Sequence, residues 1–405
     1  MIDFPRVSKN LEFVSKISAV CTAFVIPLST SLTGIFFVLT TVLYYMAGGW
    51  REKFAFILQN RIAIYLLLFF GLFVVGIFYS TATFHDAIGM AGKYDKLLFA
   101  VLLMPLFRSV RCRNYALNAF LAAMMILLLF SYLKYFGVIK YGINYGPVEI
   151  FKGHIAFNFL MSFVGYLLLT KIIKSSGWQR LLLVTALILV FYNVFFMTMA
   201  RSGYLVFMGL MALFFVQQLR WRGMLVSLLG LMIVCVGIAL FSPVFKERAA
   251  AAISDVKEYN HDEVTSVGLR ISFVKNSLQL IKKHPLFGTG TGSFQSEYAN
   301  IKPAPVVKTH NPHNEYLHIG VQFGILGIIL LLLNFGMQLW RSRALPLPMN
   351  YISQAVVFSI VIGSFANSWL LDTTQGHFYA YFIALTFASL PIMRKSGTRF
   401  FLDKQ

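Results

Sequence analysis

The sequence predicts an all-α polytopic membrane protein, and three observations lead to that fold class. Hydrophobic residues make up 58% of the 405-residue chain, charged residues make up only 12%, and the mean hydropathy is +0.72. A water-soluble fold cannot bury so much apolar surface. Since backbone groups in lipid must be paired within their own segment, the apolar runs must form helices. We expect about twelve of them to cross the membrane.

The expected spans divide the chain into three regions. Residues 1–242 hold about nine spans, residues 243–313 form one long polar loop, and residues 314–405 hold about three spans and a short tail. The shortest run, 95–107, is expected to be tilted or partly interfacial. The apolar runs lie at 11–29, 31–48, 62–80, 95–107, 115–136, 153–173, 180–200, 203–219, 223–242, 314–339, 351–370 and 375–393.

The basic residues predict which ends of the spans face the cytoplasm. If the N-terminus is cytoplasmic, the loops on that side hold 20 of the 35 lysines and arginines, but only Asp3, Glu12, Glu52 and Asp403 of the 15 acids. Short cytoplasmic loops are enriched in Lys and Arg in this way. The formal net charge of +20 therefore reflects topology and contact with anionic membrane lipids, and we expect no nucleic acid partner. Both termini are predicted to be cytoplasmic, and the 243–313 loop external.

The external loop is expected to carry a surface helix. From Gly268 to Lys283, apolar side chains recur at helical spacing between basic ones, which is typical of an amphipathic helix lying on a membrane. His284-Pro285 should end this helix. The glycine-rich run Gly288–Ser293 follows. Because it lacks the Gly-Lys-Ser/Thr ending of a phosphate-binding loop, we interpret it as a hinge or turn.

A polar cluster stands directly before the tenth apolar run. It contains His310, His313, Asn314 and Glu315. His313 suits the role of a catalytic base, because the pKa of an imidazole lies near the working pH. A structural cap for the following helix and a metal site are the alternatives. The metal site is disfavoured because Pro312 breaks the helical spacing of the histidines.

Two arginines and one aspartate are expected on the same external side as the histidines. An arginine at the edge of the hydrocarbon is a functional candidate by default, and one guanidinium group can bind two phosphate oxygens at once. Arg201 and Arg270 therefore indicate a phosphorylated substrate, unless Arg201 only snorkels to the interface and Arg270 is a solvated charge. Asp372, in the last external loop, is expected to orient a histidine, to contact an acceptor, or to be an ordinary loop residue.

These motifs resemble the O-antigen ligase family and its wider superfamily of O-antigen polymerases and protein O-oligosaccharyltransferases. His313-Asn314, followed after nine residues by Gly324-Ile325-Leu326-Gly327, matches the ligase-type signature. The segment from Arg270 to Pro285-Leu286-Phe287-Gly288-Thr289-Gly290 is similar to the preceding block of the superfamily. Arg201 matches the position of the family's other functional arginine.

The resemblance implies a GT-C-like glycosyltransferase in the bacterial inner membrane, with its active site facing the periplasm. Its donor would be a glycan on undecaprenyl pyrophosphate, its acceptor a sugar hydroxyl of lipid A–core, and it would use no metal and no other cofactor. The expected base is His313, and the expected pyrophosphate ligands are Arg201 and Arg270. Supporting or acceptor-binding side chains are expected from His310, Asn314 and Asp372.

The chemistry and the competing functions follow from the same residues. No carboxylate is clearly placed as a covalent nucleophile, which favours a single displacement that inverts the anomeric centre. An O-antigen polymerase or a protein O-oligosaccharyltransferase would use the same donor with another acceptor. A lipid-linked oligosaccharide flippase or other transporter would place charges near the middle of its spans. This sequence instead gathers its ionisable residues at one face.

Overall fold

The computed structural model describes residues 4–140, 148, 150–258, 265–301 and 309–390, and these residues form helices and connecting turns without strands. The predicted cytoplasmic tail, with Arg394, Lys395, Arg399 and Lys404, lies outside the described residues. The helices are α1 (Phe4–Val25), α2 (Thr30–Met46), α3 (Trp50–Gln59), α4 (Arg61–Ile77), α5 (Phe84–Gly92), α6 (Lys96–Leu103), α7 (Val110–Tyr135), α8 (His154–Ile172), α9 (Gly177–Tyr192), α10 (Arg201–Leu219), α11 (Trp221–Phe241), α12 (Pro243–Glu258), α13 (Ser266–Lys283), α14 (Phe294–Ile301), α15 (Glu315–Ser342), α16 (Met349–Gly363) and α17 (Thr373–Phe387).

Several of these helices are long and apolar enough to cross a membrane. Among the described residues, six qualify by length and composition: α7, α8, α9 with the turn after it, α10, α11 and α15. The pair α2 and α3, bent by 119°, makes a seventh if it is counted as one broken span. The all-α class is therefore confirmed, together with a composition typical of a polytopic membrane protein. The number of twelve spans stays a prediction.

Two predicted spans end earlier than their apolar runs. α9 stops at Tyr192, and a single π-helical turn, Asn193–Met197, then leads to extended chain. Buried polar groups hold this exit, because both the backbone N–H and the hydroxyl of Thr198 donate to the carbonyl of Asn193, at 3.1 and 3.0 Å. α16 likewise ends at Gly363, so residues 364–370 form a loop instead of the last part of a span.

The predicted surface helix is present as α13, and it ends before His284 as expected. Its buried face carries Phe273 and Leu280, which pack with side chains of α14 and α15. Val274 and Leu278, on the predicted apolar stripe, are exposed instead. α13 therefore has two apolar faces: one fixes it to the protein, and the other remains at the surface.

The glycine-rich run is a turn, one of the two forms expected for it, and it makes a buried contact with α15 that the sequence did not predict. α15 is broken at Gly324, which has φ +60° and ψ −153°. Around this break, Thr289 and Gly290 donate their N–H groups to the carbonyls of Val321 and Gln322, at 3.1 and 2.8 Å. In return, Ile325 donates to the carbonyl of Pro285 at 2.8 Å. The groups freed by the broken helix are thus paired again, as burial requires.

Glycine is required where these segments meet. A Cβ atom on Gly324 would lie 2.5 Å from the carbonyl carbon of Leu286, and one on Gly290, where φ is +90°, would lie 2.3 Å from Cα of Ser80. Glycines are therefore needed in the glycine-rich run and at the break of α15 because the two backbones cross there at close range. The amides of the run are used within the protein, which explains why the run is not a phosphate-binding loop.

We predict that Gly324→Ala destabilises the protein. The backbone conformation at this position is accessible almost only to glycine, at a cost of roughly 1–3 kcal/mol for other residues, and the added methyl group must also displace the Pro285–Leu286 backbone. Thermal unfolding of the purified protein in detergent measures the loss. Gly336→Ala is the matched control in the same helix, because its Cβ meets nothing within 4 Å. Equal melting temperatures for both variants would contradict the prediction.

Candidate active site

A tight turn before α15 sets the position of His313. The Oδ1 atom of Asn311 accepts the backbone N–H of His313 at 2.8 Å, closing a turn around Pro312. His313 itself has φ +52°, a left-handed conformation that is uncommon for a residue with a side chain. Asn314 then caps α15 by accepting the N–H of Leu317 at 3.0 Å. The turn holds His313 at the surface, directly before the helix.

The imidazole of His313 begins a chain of three polar side chains. Its Nδ1 atom lies 2.8 Å from Oδ1 of Asn367, and Nδ2 of Asn367 donates to Oδ2 of Asp372 at 2.7 Å. The ring also lies against Phe273 of α13, with 5.8 Å between the ring centroids. No described residue hydrogen bonds to Nε2 of His313. That nitrogen is therefore the one left to act on a substrate.

The loop that supplies Asn367 and Asp372, residues 364–372, is anchored by the side chain and backbone of Glu315. This carboxylate is fully buried. Its Oε1 atom accepts from the hydroxyl of Tyr94 at 2.6 Å, and its Oε2 atom accepts the N–H of Leu370 at 3.0 Å. The backbone N–H of Glu315 also donates to the carbonyl of Ser364 at 2.9 Å. A single residue at the start of α15 thus holds both ends of the loop.

A buried lysine and a buried tryptophan complete the anchoring of the 364–372 loop. Nζ of Lys96, at the start of α6, donates to the carbonyls of Leu371 and Asp372, both at 2.9 Å. The fully buried ring of Trp369 packs against Phe159 of α8, with 4.7 Å between centroids. The loop is therefore bound to α6, α8 and α15, and its polar side chains have fixed positions relative to His313.

Arg201 and Arg270, from distant parts of the chain, lie near enough for their charges to interact. Arg201 is the first residue of α10, and Arg270 lies in the second turn of α13. Arg270 is exposed on one side, yet partial burial lowers the pKa of its guanidinium, and the like charge of Arg201 lowers it further. The one ion pair among the described residues joins Glu12 to Lys16. Within the described residues neither arginine is paired with a carboxylate, and two such guanidinium groups favour the binding of an anion.

Arg270 and His313 are linked through one face of α13. Phe273 follows Arg270 by three residues, so the two side chains lie on the same side of the helix. Since Phe273 also touches the His313 ring, α13 brings the arginine pair to the same region as the imidazole. The prediction of a joint site on one side of the protein therefore has a physical basis in the packing of α13 on α15.

The acidic end of the polar chain is poorly solvated. Burial raises the pKa of the Asp372 carboxyl from 3.8 to about 6, against the opposing effect of Lys96. The carboxylate is therefore ionised at neutral pH but close to its titration. Of the three expectations for Asp372, namely to orient a histidine, to contact an acceptor or to be an ordinary loop residue, its link to His313 through Asn367 fits the first.

The other predicted residues have different surroundings. The amide of Asn314 is used in the fold, because Oδ1 caps α15 and Nδ2 donates to the carbonyl of Phe365 at 3.1 Å. His318 is fully buried beside Phe294. His310 is exposed beside a small cavity of about 160 Å³. That cavity is lined by His85, Asp86, Gly89, Met90, Lys93, Gly292, Gln295 and His310.

Within the described ranges, no group of three or more His, Cys, Asp or Glu side chains is arranged to hold a metal ion. The prediction of a metal-free site stays a prediction. The residue that sequence reasoning missed is Asn367. Its signal was weak: an asparagine five residues before Asp372, inside a run that reads as part of a span.

Comparison with known proteins agrees with this reading of the motifs. Residues 184–332 match the family model described as O-antigen ligase, and this segment contains Arg201, Arg270, His313 and Gly324. The family resemblance is thereby confirmed. The match covers the arginine, histidine and glycine motifs on which the resemblance was based. Asn367 and Asp372 lie beyond the matched segment.

One curated relative has a partial match. An uncharacterized protein of Haemophilus influenzae is 29% identical over 146 residues, which cover 33% of this chain and 36% of that protein. The chain thus spans about a third of the relative that it matches. This likeness adds no activity or substrate to the family match.

We predict that the pH dependence of stability reports the burial of Asp372. Because its folded pKa of about 6 lies above the ordinary 3.8, its contribution to stability is fully present below about pH 4 and is lost as the pH rises through about 6. Asp372→Asn removes this loss. The melting temperature of the variant relative to the natural protein should therefore increase between about pH 4 and about pH 7. A difference that is the same at both pH values would contradict the assignment.

Proposed function

We propose that this protein is an O-antigen ligase that transfers a glycan from undecaprenyl pyrophosphate to a sugar hydroxyl of lipid A–core, at the periplasmic face of the bacterial inner membrane. The observation that carries the proposal is the role of α13. This helix places Arg270 beside Arg201 and packs Phe273 on the ring of His313. An anion site and a base then stand side by side, as glycosyl transfer from a pyrophosphate requires.

The two arginines fit the leaving group. When the bond between the anomeric carbon and the pyrophosphate oxygen breaks, the pyrophosphate gains negative charge. Guanidinium groups held in place before the reaction stabilise that charge without reorganisation. The N-terminus of α10, where Arg201 stands without a side-chain cap, adds its dipole in the same sense. These charges would do the work that a divalent cation does in other enzymes, so we propose a metal-independent reaction.

His313 fits the acceptor side of the same reaction. Nε2 takes the proton of the acceptor hydroxyl, the oxygen forms a bond to the anomeric carbon, and undecaprenyl pyrophosphate leaves with the electron pair. Because this is one displacement, the configuration at the anomeric carbon inverts. The two carboxylates of the described segments next to His313 support this sequence of steps, since Glu315 is fully buried and Asp372 is bonded to Asn367. Neither is free to act as a nucleophile.

The choice of acceptor separates the ligase from its relatives. A polymerase would extend the glycan on a second lipid-linked chain, and a protein O-oligosaccharyltransferase would modify a hydroxyl of a protein. Both would use the same base and the same arginines. A flippase would need none of this chemistry. Supplying purified protein with each acceptor in turn therefore tests the class and the acceptor in one assay.

We predict that His313→Asn abolishes transfer while the protein stays folded. Asparagine tolerates the left-handed conformation of this position but has no titratable nitrogen. The assay supplies undecaprenyl-pyrophosphate glycan and lipid A–core without nucleotide or added metal, and product is followed on gels. Loss of a general base is expected to slow the reaction roughly 10²–10⁴-fold. Full activity of a folded His313→Asn protein would show that the base is another group.

We predict that Arg270→Ala lowers kcat and that Arg270→Lys recovers only part of it, because lysine keeps the charge but cannot bind two phosphate oxygens in the same planar way. The matched control is Lys275→Ala, which removes an exposed charge from the same helix. Initial rates at saturating acceptor measure the effect. If both alanine variants lose activity equally, α13 acts through its general positive charge and the pyrophosphate assignment fails.

A further inference from the structure

The contact between His313 and Asn367 has a chemical consequence for the imidazole. The Asn367 amide is only 9% exposed, and both of its ends are engaged. An ionised carboxylate can only accept hydrogen bonds, so the end of the amide that faces Oδ2 of Asp372 must be the donor, Nδ2. Its carbonyl oxygen is then the end that faces Nδ1 of His313, at 2.8 Å.

The orientation of the amide dictates where the histidine carries its proton. An amide oxygen cannot donate, so Nδ1 must donate to it. In the neutral imidazole the proton is then on Nδ1, and the lone pair is on Nε2. We propose that Asn367 is a positioning residue which, held by Asp372, keeps His313 in the Nδ1–H form so that Nε2 serves as the base. This inference rests on the proposed function of His313.

The surrounding anchors make the arrangement rigid. Asp372 is the N-cap residue directly before α17, and its carbonyl accepts from Lys96 at 2.9 Å, while Glu315 accepts a hydrogen bond from the backbone of the same loop. The amide of Asn367 cannot rotate without setting its NH2 group against the ring and its oxygen against a carboxylate. The partly buried carboxylate of Asp372 thus fixes the orientation of the exposed imidazole through Asn367.

The charges around this chain are unequal at its two ends. Asp372 is bordered by Lys96 of α6, whose charge lowers the pKa of the Asp372 carboxyl against the larger effect of burial. His313 is approached from α13 through the ring of Phe273, which lies on the same side of that helix as Arg270. A neutral amide separates the imidazole from the carboxylate, so the two ionisable groups make no direct contact.

Two single variants and one double variant, in which the Asn367 and Asp372 side chains are exchanged, test this inference. Asn367→Leu keeps the approximate volume but removes both hydrogen bonds, and it should lower kcat about 100-fold or more with little change in the KM for the donor. Asn367→Asp places two carboxylates together and should also be impaired. The double variant Asn367→Asp/Asp372→Asn restores every hydrogen bond with the same total charge, and it should recover most of the activity.

The swap has a signature that a merely structural role would not produce. A carboxylate in direct contact with the ring stabilises the imidazolium. The acid limb of the activity profile of the double variant should therefore move to higher pH. Ser368→Ala, a change at the neighbouring residue whose hydroxyl has no hydrogen-bond partner within the described part of the chain, is the control and should keep the natural rate and profile.

The tautomer can be read without the reaction. In protein labelled with ¹⁵N-histidine, the spectrum of His313 is identified by its absence from His313→Asn. We expect protonated Nδ1 and unprotonated Nε2 at neutral to alkaline pH, and a shift toward the Nε2–H form in Asn367→Leu. An Nε2–H tautomer in the natural protein overturns the inference. The inference is also overturned if Asn367→Leu is fully active while His313→Asn is inactive. That result would leave the proposed function intact. Activity of His313→Asn overturns both.

Discussion

The exchange of backbone hydrogen bonds between the Pro285–Thr291 segment and the broken turn of α15 is the interaction on which the rest of the structure depends. It pairs the N–H and C=O groups that Gly324 releases from the helix, and without such pairing a break inside an apolar bundle is too costly. The same exchange fixes the chain directly after α13. The position of α13, and with it the distance from Arg270 to His313, therefore depends on this backbone crossing. The glycines at the crossing take no part in the proposed reaction.

The second constraint is the burial of charge beneath the 364–372 loop. Glu315 and Lys96 are taken out of water, which is tolerable only because hydrogen bonds satisfy both groups. Those bonds go mainly to the backbone of a loop that has no helical structure of its own. The loop thus gains a single conformation, and Asn367 and Asp372 are aligned behind His313. Exposed groups perform the proposed chemistry, and buried groups of the same segments hold them in place.

The sequence predicts the fold class, most helices and the main reactive groups for clear physical reasons. Apolar runs must be helical in lipid, and a polar cluster beside such a run is conspicuous. It does not predict the end of α16 at Gly363, because residues 364–370 include apolar side chains that extend the run. Asn367 was therefore read as part of a span. The sequence predicts a hinge or turn at the glycine run but not its buried contact, because the partner, the broken turn of α15 at Gly324, lies more than thirty residues further along the chain.

The central claim is that pyrophosphate binds between Arg201 and Arg270 with its sugar facing Nε2 of His313. Cryo-electron microscopy of the protein in lipid nanodiscs with an undecaprenyl-pyrophosphate glycan tests this claim most directly. The account predicts pyrophosphate density in contact with both guanidinium groups and an anomeric carbon open to the imidazole. Pyrophosphate bound elsewhere would contradict it, for example in the polar cavity of about 500 Å³ lined by Lys53 and Arg108, with the two arginines left unoccupied.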